Sequence, residues 1–179
     1  MTVASERVAQ ALAEAIQRQS VRIVFAESCT AGWCSAWLSL IPGISEYLCG
    51  SAVTYRNGTK AVWLGVSAPD LADPQIGPVS ETVARQMCLN VLERTPEAGL
   101  SVAVTGHLGP GAPPDLDGII YVGTAVRKSD ACQVVAVQQH HLPVCGSGNL
   151  EQRHIRQQIA VTLVYEAAVS ALEHITWKD

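Results

Sequence analysis

With 179 residues, 48% of them hydrophobic and 16% charged, and a mean hydropathy of +0.19, the chain has the composition of one folded domain over residues 1–179 and not of a disordered or fibrous protein. Twelve Lys and Arg against sixteen Asp and Glu leave a formal net charge of −4, so no basic face for a phosphate backbone is expected and nucleic acid is excluded as a partner. Every hydrophobic run stops short of the roughly 20 apolar residues that cross a bilayer, and the opening MTVASERVAQALAEAIQRQ is charged throughout, which argues against a secretory leader and for a cytoplasmic protein with no membrane role.

Val8, Leu12, Ala15 and Ile16 recur at three- and four-residue steps and predict an amphipathic helix over 5–19. RIVFA at 22–26 reads as a buried strand. A helix is expected from Glu27 to Leu40, with Ser28 or Thr30 as its cap and Pro42-Gly43 as its end. LCGSAVTY at 48–55 is a second strand, Asn57-Gly58 a turn, 59–64 a short helix, and a Pro- and Asp-containing loop follows. Ser80 and Glu81 open a helix whose core face is Val83, Ala84, Met87, Cys88, Val91 and Leu92. Strands at 99–105 and 118–126 flank the loop GHLGPGAPPDLD, and a third strand at 131–138 pairs antiparallel with the second through Arg127-Lys128-Ser129-Asp130. A long helix over 149–174 closes the chain, with Ile155, Ile159 and Leu163 on its buried stripe. The sum is a three-layer α/β/α domain around a mixed, mostly parallel sheet.

The six cysteines form no CxxC pair and lie mostly in apolar segments, so they are expected to be reduced. His140, His141, Cys145 and His154 are close in sequence, but neighbouring residues on a strand face opposite ways and the spacing matches no zinc pattern. No metal is expected.

Chemistry can sit in three places. Ala26-Glu27-Ser28-Cys29-Thr30-Ala31-Gly32 puts hydroxyls, a carboxylate and a thiol at a strand-to-helix junction, where helix-start amides lack partners. Ser28 could attack a carbonyl there while the amides of Thr30, Ala31 and Gly32 receive the oxyanion. The alternative is plain capping by Ser28 or Thr30, and Cys29 is a rival nucleophile. Lys60, early in its helix after Asn57-Gly58, could be the base that Ser28 needs. Lowering its pKa from about 10.4 towards 7 takes roughly 4–5 kcal/mol, more than a helix terminus supplies, so burial must provide most of it. Otherwise Lys60 is a solvated surface charge. Tyr55 could relay or orient the proton. The glycines of Thr105-Gly106-His107-Leu108-Gly109-Pro110-Gly111 let backbone amides approach a phosphate or ribose, or mark only a turn.

Together these segments resemble the CinA C-terminal domain family, which includes the nicotinamide-nucleotide amidohydrolases. The family's AESCTGG is similar to Ala26–Gly32, and its proline-glycine step to Pro42-Gly43. Its tyrosine-to-lysine run is similar to Tyr55–Lys60 with Leu64-Gly65-Val66, its valine-serine helix start to Val79-Ser80-Glu81, and its TGIAGPGG to Thr105–Gly111. The resemblance implies hydrolysis of the carboxamide of nicotinamide mononucleotide to the acid and ammonia, with no metal and no cofactor. It makes Ser28 the nucleophile, Lys60 the base and Tyr55 the supporting hydroxyl. Thr30, Ala31, Gly32, Thr105, Gly106, Gly109 and Gly111 then bind substrate, and a homo-oligomer is expected. The chain departs from the family at Ala31, Trp33 and His107-Leu108. It also carries Gly148-Asn149-Leu150-Glu151-Gln152-Arg153 where members have Gly-Asp-Arg, which leaves Arg153 or Arg156 as substitutes. The alternative is a nucleotide- or partner-binding module of the same fold without catalysis.

Overall fold

A computed structural model describes residues 3–129, 131–175 and 177. Six helices, α1 (Val3–Gln19), α2 (Trp33–Leu38), α3 (Asn57–Leu64), α4 (Ala68–Ala72), α5 (Glu81–Glu93) and α6 (Asn149–His174), surround five strands. The strands are β1 (Ile23–Glu27), β2 (Leu48–Val53), β3 (Leu100–Gly106), β4 (Ile119–Lys128) and β5 (Ala131–His141). They form one sheet in the order β2-β1-β3-β4-β5. β1 pairs parallel with β2 and β3, while β4 pairs antiparallel with β3 and β5. β5 therefore runs with the first three strands and only β4 opposes them, which is the mixed α/β sheet that the pattern predicts. Asp130, the last residue of the expected hairpin turn, lies outside the described residues.

The two faces of β1 divide the core. Ile23 and Phe25 point towards α1, α2 and α6, where they join Leu12, Ile16, Val102, Val104, Tyr165 and Leu172. Val24 and Ala26 point the other way, to Leu64, Val83, Met87, Leu92 and Ala103 under α3 and α5. That alternation on a strand covered on both sides explains why β1 is buried at every position. Gly123 on β4 lets α5 approach closely, since a Cβ there would come within 2.7 Å of the Ala84 carbonyl oxygen. The α5 core face is the predicted one, and Ser80 caps the helix by accepting from the Val83 amide at 3.2 Å.

Three expectations are corrected. No helix starts at Glu27: that residue ends β1, the chain turns through 28–32, and α2 begins at Trp33. Ala31 at φ +54 and Gly32 at φ +98 explain the break, because left-handed backbone cannot continue a right-handed helix. Ser28 and Thr30 therefore cap nothing, and α2 has no side-chain cap from Gly32, the residue before it. The Pro- and Asp-containing stretch holds the short helix α4, capped by Ser67, whose hydroxyl accepts from the Asp70 amide. On α6 the fully buried stripe is Arg156, Ala160, Val164 and Tyr165, with Ile155, Ile159 and Leu163 half-buried beside it. The reason is polar anchoring: Tyr165 donates to the Cys34 carbonyl at 2.6 Å, and Arg156 forms two N–H···O bonds with Asp117 at 2.9 Å.

The ends of the strands determine where a site can form. The chain leaves β1 for β2 on one side, while β3 adds on the other, so a crevice opens beyond the C-terminal ends of β1 and β3, as at switch points of open α/β sheets. Ser28 follows β1, Thr54 follows β2 and His107 follows β3. The Ser28 amide donates to Val104 at 3.0 Å and the Thr54 amide to Glu27 at 2.7 Å.

Ala31 is exposed and holds a left-handed conformation that glycine adopts without the Cβ penalty. Ala31→Gly is expected to stabilise the fold by about 0.5–1 kcal/mol, the αL relief exceeding the extra unfolded-state entropy. Urea unfolding would measure it, and an unchanged or lower midpoint would refute the strain.

Candidate active site

At the crevice lies a cavity of about 320 Å³ lined by Ser28, Cys29, Tyr55, Asn57, Lys60, the 105–112 loop and Arg153, among others, small but within the range of ligand sites. Lys60 reaches it from α3. Its Nζ donates to Ser28 Oγ at 2.8 Å and to the Thr54 carbonyl at 3.0 Å, with the side chain almost fully buried. Burial without a facing carboxylate pulls the lysine's pKa from 10.5 down to about 8, so desolvation is the main cause, as the energy argument requires. The neutral amine can keep its donation to Thr54 and accept the Ser28 hydroxyl proton at the same separation.

Cys29 is buried among apolar side chains, and its thiol is pushed up to about 12, chiefly by burial. It is a small hydrophobe here and not a nucleophile.

The amides at the start of α2 do not serve the cleft. Gly32 and Cys34 donate to Glu27 Oε2, each at 3.0 Å, and Ser35 donates to Oε1 at 3.2 Å. Hydroxyls of Thr30 at 2.7 Å, Ser51 at 2.8 Å and Ser35 at 3.4 Å complete the shell. The Ala31 amide is held by the Ser28 carbonyl at 3.1 Å. Thr30, Ala31 and Gly32 are absent from the cavity lining, so the expectation that their amides meet an oxyanion is not met. A buried carboxylate on the strand has taken the helix-start role that an external anion would otherwise fill.

Tyr55 lies at the rim, half-exposed, and its hydroxyl accepts from Arg153 Nη2 at 2.6 Å. Its hydroxyl makes no hydrogen bond to Ser28 or Lys60, so the structure does not display a proton relay. Arg153 also donates to the Gly109 carbonyl through Nη1 at 2.5 Å. Arg156, one helical turn on, is fully buried and committed to Asp117 and the carbonyls of Leu108 and Pro143. Of the two arginines, Arg153 is the one at the cleft. Thr105, Gly106, Gly109 and Gly111 all line the cavity, but the Thr105 hydroxyl is committed to the Pro78 carbonyl at 2.7 Å. No Asp or Glu is among the lining residues, whereas Lys60 and Arg153 are.

Three contributors carried no separate reading in the sequence. Glu27 is one, and its signal is the run of donors at Thr30, Gly32 and Ser35 spaced along a following helix start. Gln157 is another: its amide donates to the carbonyls of Cys29 and Thr30 and ties α6 to the nucleophile turn. No local pattern announces that contact across 127 positions. His107 also lines the cavity. Among the described residues no group of His, Cys, Asp and Glu is placed to hold a metal ion, and no helix is long and apolar enough to cross a membrane.

Glu27→Gln replaces one acceptor oxygen by an NH₂ group that must face N–H or O–H donors. We expect a loss of about 3 kcal/mol in urea unfolding, since buried donors are left unpaired; a loss under about 1 kcal/mol would contradict this role for the carboxylate.

Comparison with known proteins identifies the family and the fold. Residues 5–147 match the family described as CinA C-terminal domain. A CinA-like protein of Gloeothece citriformis is 42% identical over 120 residues, covering 66% of this chain and 27% of that protein. One of Chlorobium limicola is 38% identical over 131 residues, covering 72% and 29%. The match thus takes in less than a third of the length of these relatives. The competence/damage inducible protein CihA of Agrobacterium tumefaciens superposes with a TM-score of 0.81 at 28% identity, over 97% of this chain and 100% of that one. Competence damage-inducible protein A of Klebsiella pneumoniae shares the fold at a TM-score of 0.81 and 22% identity, over 96% and 99%. On the family match and the fold together, the chain belongs to the CinA C-terminal domain family.

Proposed function

We propose that this cleft hydrolyses the carboxamide of nicotinamide mononucleotide, or of a close pyridine nucleotide, to the carboxylate and ammonia. The observation that carries the reading is the 2.8 Å contact between Lys60 Nζ and Ser28 Oγ inside the cavity. A hydroxyl beside an amine whose pKa is near 8 is an activated nucleophile of the serine-lysine kind. Neutral Lys60 takes the Ser28 proton as Oγ bonds to the amide carbon and the carbonyl electron pair moves to oxygen. Collapse of this intermediate breaks the C–N bond, and the proton on Lys60 passes to the departing nitrogen, which leaves as ammonia. Water, deprotonated by the same amine, opens the acyl-serine and releases the acid. Cavity-lining backbone amides without an internal acceptor among the described residues, and so free for the oxyanion, include those of Cys29, next to the nucleophile, and of Leu108, Gly109 and Gly111 in the facing loop.

Substrate class follows from charge. A cavity with two basic side chains and no carboxylate in its lining suits a ligand bearing a phosphate. Arg153 is the anchor in this reading, exchanging Tyr55 or Gly109 for phosphate oxygens. The family resemblance adds a homo-oligomer to the proposal, and the place of action in this reading is the cytoplasm.

Ser28→Ala should lower ammonia release from the mononucleotide by about a thousandfold or more, measured with an ammonia-coupled assay. Equal rates in the two proteins would remove Ser28 as the nucleophile, and no release from either with nucleotide still bound would instead favour the non-catalytic binding module. Because the reactive form of Lys60 is neutral, the rate should climb about tenfold per pH unit below about pH 8 and level off above it. A flat profile between about pH 6 and 9 would remove Lys60 as the base.

Arg153→Gln should raise KM for the mononucleotide about tenfold and leave the riboside unaffected. A riboside turned over as fast as the mononucleotide by the unmodified protein would move the proposal to an amide substrate without a phosphate.

A further inference from the structure

His107 stands where the pyridine-nucleotide reading has no role for it. Its backbone is pinned on both sides, the amide donating to Ile119 at 2.9 Å and the carbonyl accepting from Gly118 at 2.9 Å, so the Cα cannot drift. The side chain is half-buried and lines the cavity together with Ser28, Lys60 and Arg153. The imidazole makes no hydrogen bond to any described residue. A neutral imidazole needs one acceptor for its N–H and one donor for its bare nitrogen.

The charged groups facing the ring are Arg153 from α6, Lys60 from α3 and Asp117 from the loop before β4. The two cations can only donate. Asp117 is already engaged by both terminal nitrogens of Arg156 at 2.9 Å, and the one further titratable group near it is His141 of β5. Within the protein the ring is thus left without a hydrogen-bond partner, and its nitrogens line the carboxylate-free cavity beside the two cations.

We propose that His107 contacts an anionic oxygen of the bound nucleotide and takes up a proton as that ligand binds. The inference rests on the reading of the cleft as an anion site, but not on turnover. In the free protein, burial and then Arg153 hold the imidazole below its ordinary range. A bound oxyanion offsets both cations and accepts from the ring, which favours the imidazolium. Affinity for the anion then rises as the pH falls, and is lost as the pH climbs through the value the ring has in the complex.

The test is calorimetry at about pH 6 in buffers of differing ionisation enthalpy, with nicotinate mononucleotide, nicotinate riboside and inorganic phosphate as separate probes on the unmodified protein and on His107→Gln. The phosphate's own second ionisation is common to both proteins and cancels in the comparison. The unmodified protein should take up more protons than the variant, and its Kd should be about tenfold lower than the variant's at about pH 6, converging near pH 8. A difference seen with the riboside assigns the contact to the carboxylate, and one seen with inorganic phosphate assigns it to the phosphate. Equal proton uptake in the two proteins with every probe overturns the proposal, and so does absence of binding by all three. Amide hydrolysis can fail while the proton linkage persists, or the reverse, so the two readings fall separately.

Discussion

Six hydrogen bonds converge on the carboxylate of Glu27, which is fully buried with no cation against it. A bare carboxylate in that position would cost many kcal/mol. Three backbone amides, one from the residue before α2 and two from its first turn, and three hydroxyls replace its water shell instead. The same bonds satisfy donors that the start of α2 would otherwise leave unpaired. The interaction is mutual: the charge needs the donors and the short helix needs the charge. Between the two anchors, at the end of β1 and the start of α2, residues 28–32 have little freedom. The turn that carries Ser28 is held from below by this anion, from the side by Gln157 and from the sheet by Val104.

Fixing Ser28 this firmly matters because Lys60 comes from a different part of the chain. Its helix follows β2, which lies beside β1, so the two side chains approach across adjacent parallel strand ends. A long lysine stem would ordinarily extend into solvent with its rotamer entropy intact. Here it is enclosed, and its Nζ has two oxygen acceptors and no anion. That combination destabilises the ammonium without leaving the neutral amine unsatisfied. A carboxylate in contact would have restored the ordinary pKa and silenced the amine as a base. Placing Glu27 behind the turn, with its lone pairs already occupied, keeps negative charge near the site for structural purposes while denying it to Lys60.

The elements were legible wherever local periodicity decides them: the six-residue core face of α5 behind its Ser80 cap and the span of α6 both follow from spacing alone. The pairing of Ser28 with Lys60 could be anticipated because one chemically odd position followed a strand and the other lay in the first turn of the helix after the next strand, places that the α/β topology gathers at one edge. What failed was the assumption that a hydroxyl next to a helix start is its cap. Ser28 and Thr30 have the right chemistry for capping, but a carboxylate on the strand competes for the same amides and carries a full charge, so it wins. The buried stripe of α6 was misplaced by one position for a related reason. Apolar spacing favoured Ile155 and Ile159, whereas Arg156 is drawn inward by Asp117, 39 residues away, a pairing that hydropathy cannot show.

The two arginines of α6 illustrate how partner supply decides what a charge can do. Arg156 meets a carboxylate and two carbonyls, and with that shell its guanidinium can be buried outright. Arg153, three residues earlier and on the cleft side, has only a tyrosine hydroxyl and one carbonyl. Neutral acceptors of that kind orient a guanidinium without neutralising it. The field at the crevice therefore stays positive even though the chain carries a net charge of −4, because the acidic residues are placed elsewhere or, like Asp117 and Glu27, already engaged. A cleft so arranged has its counter-charge missing, and the ligand that completes it must bring one.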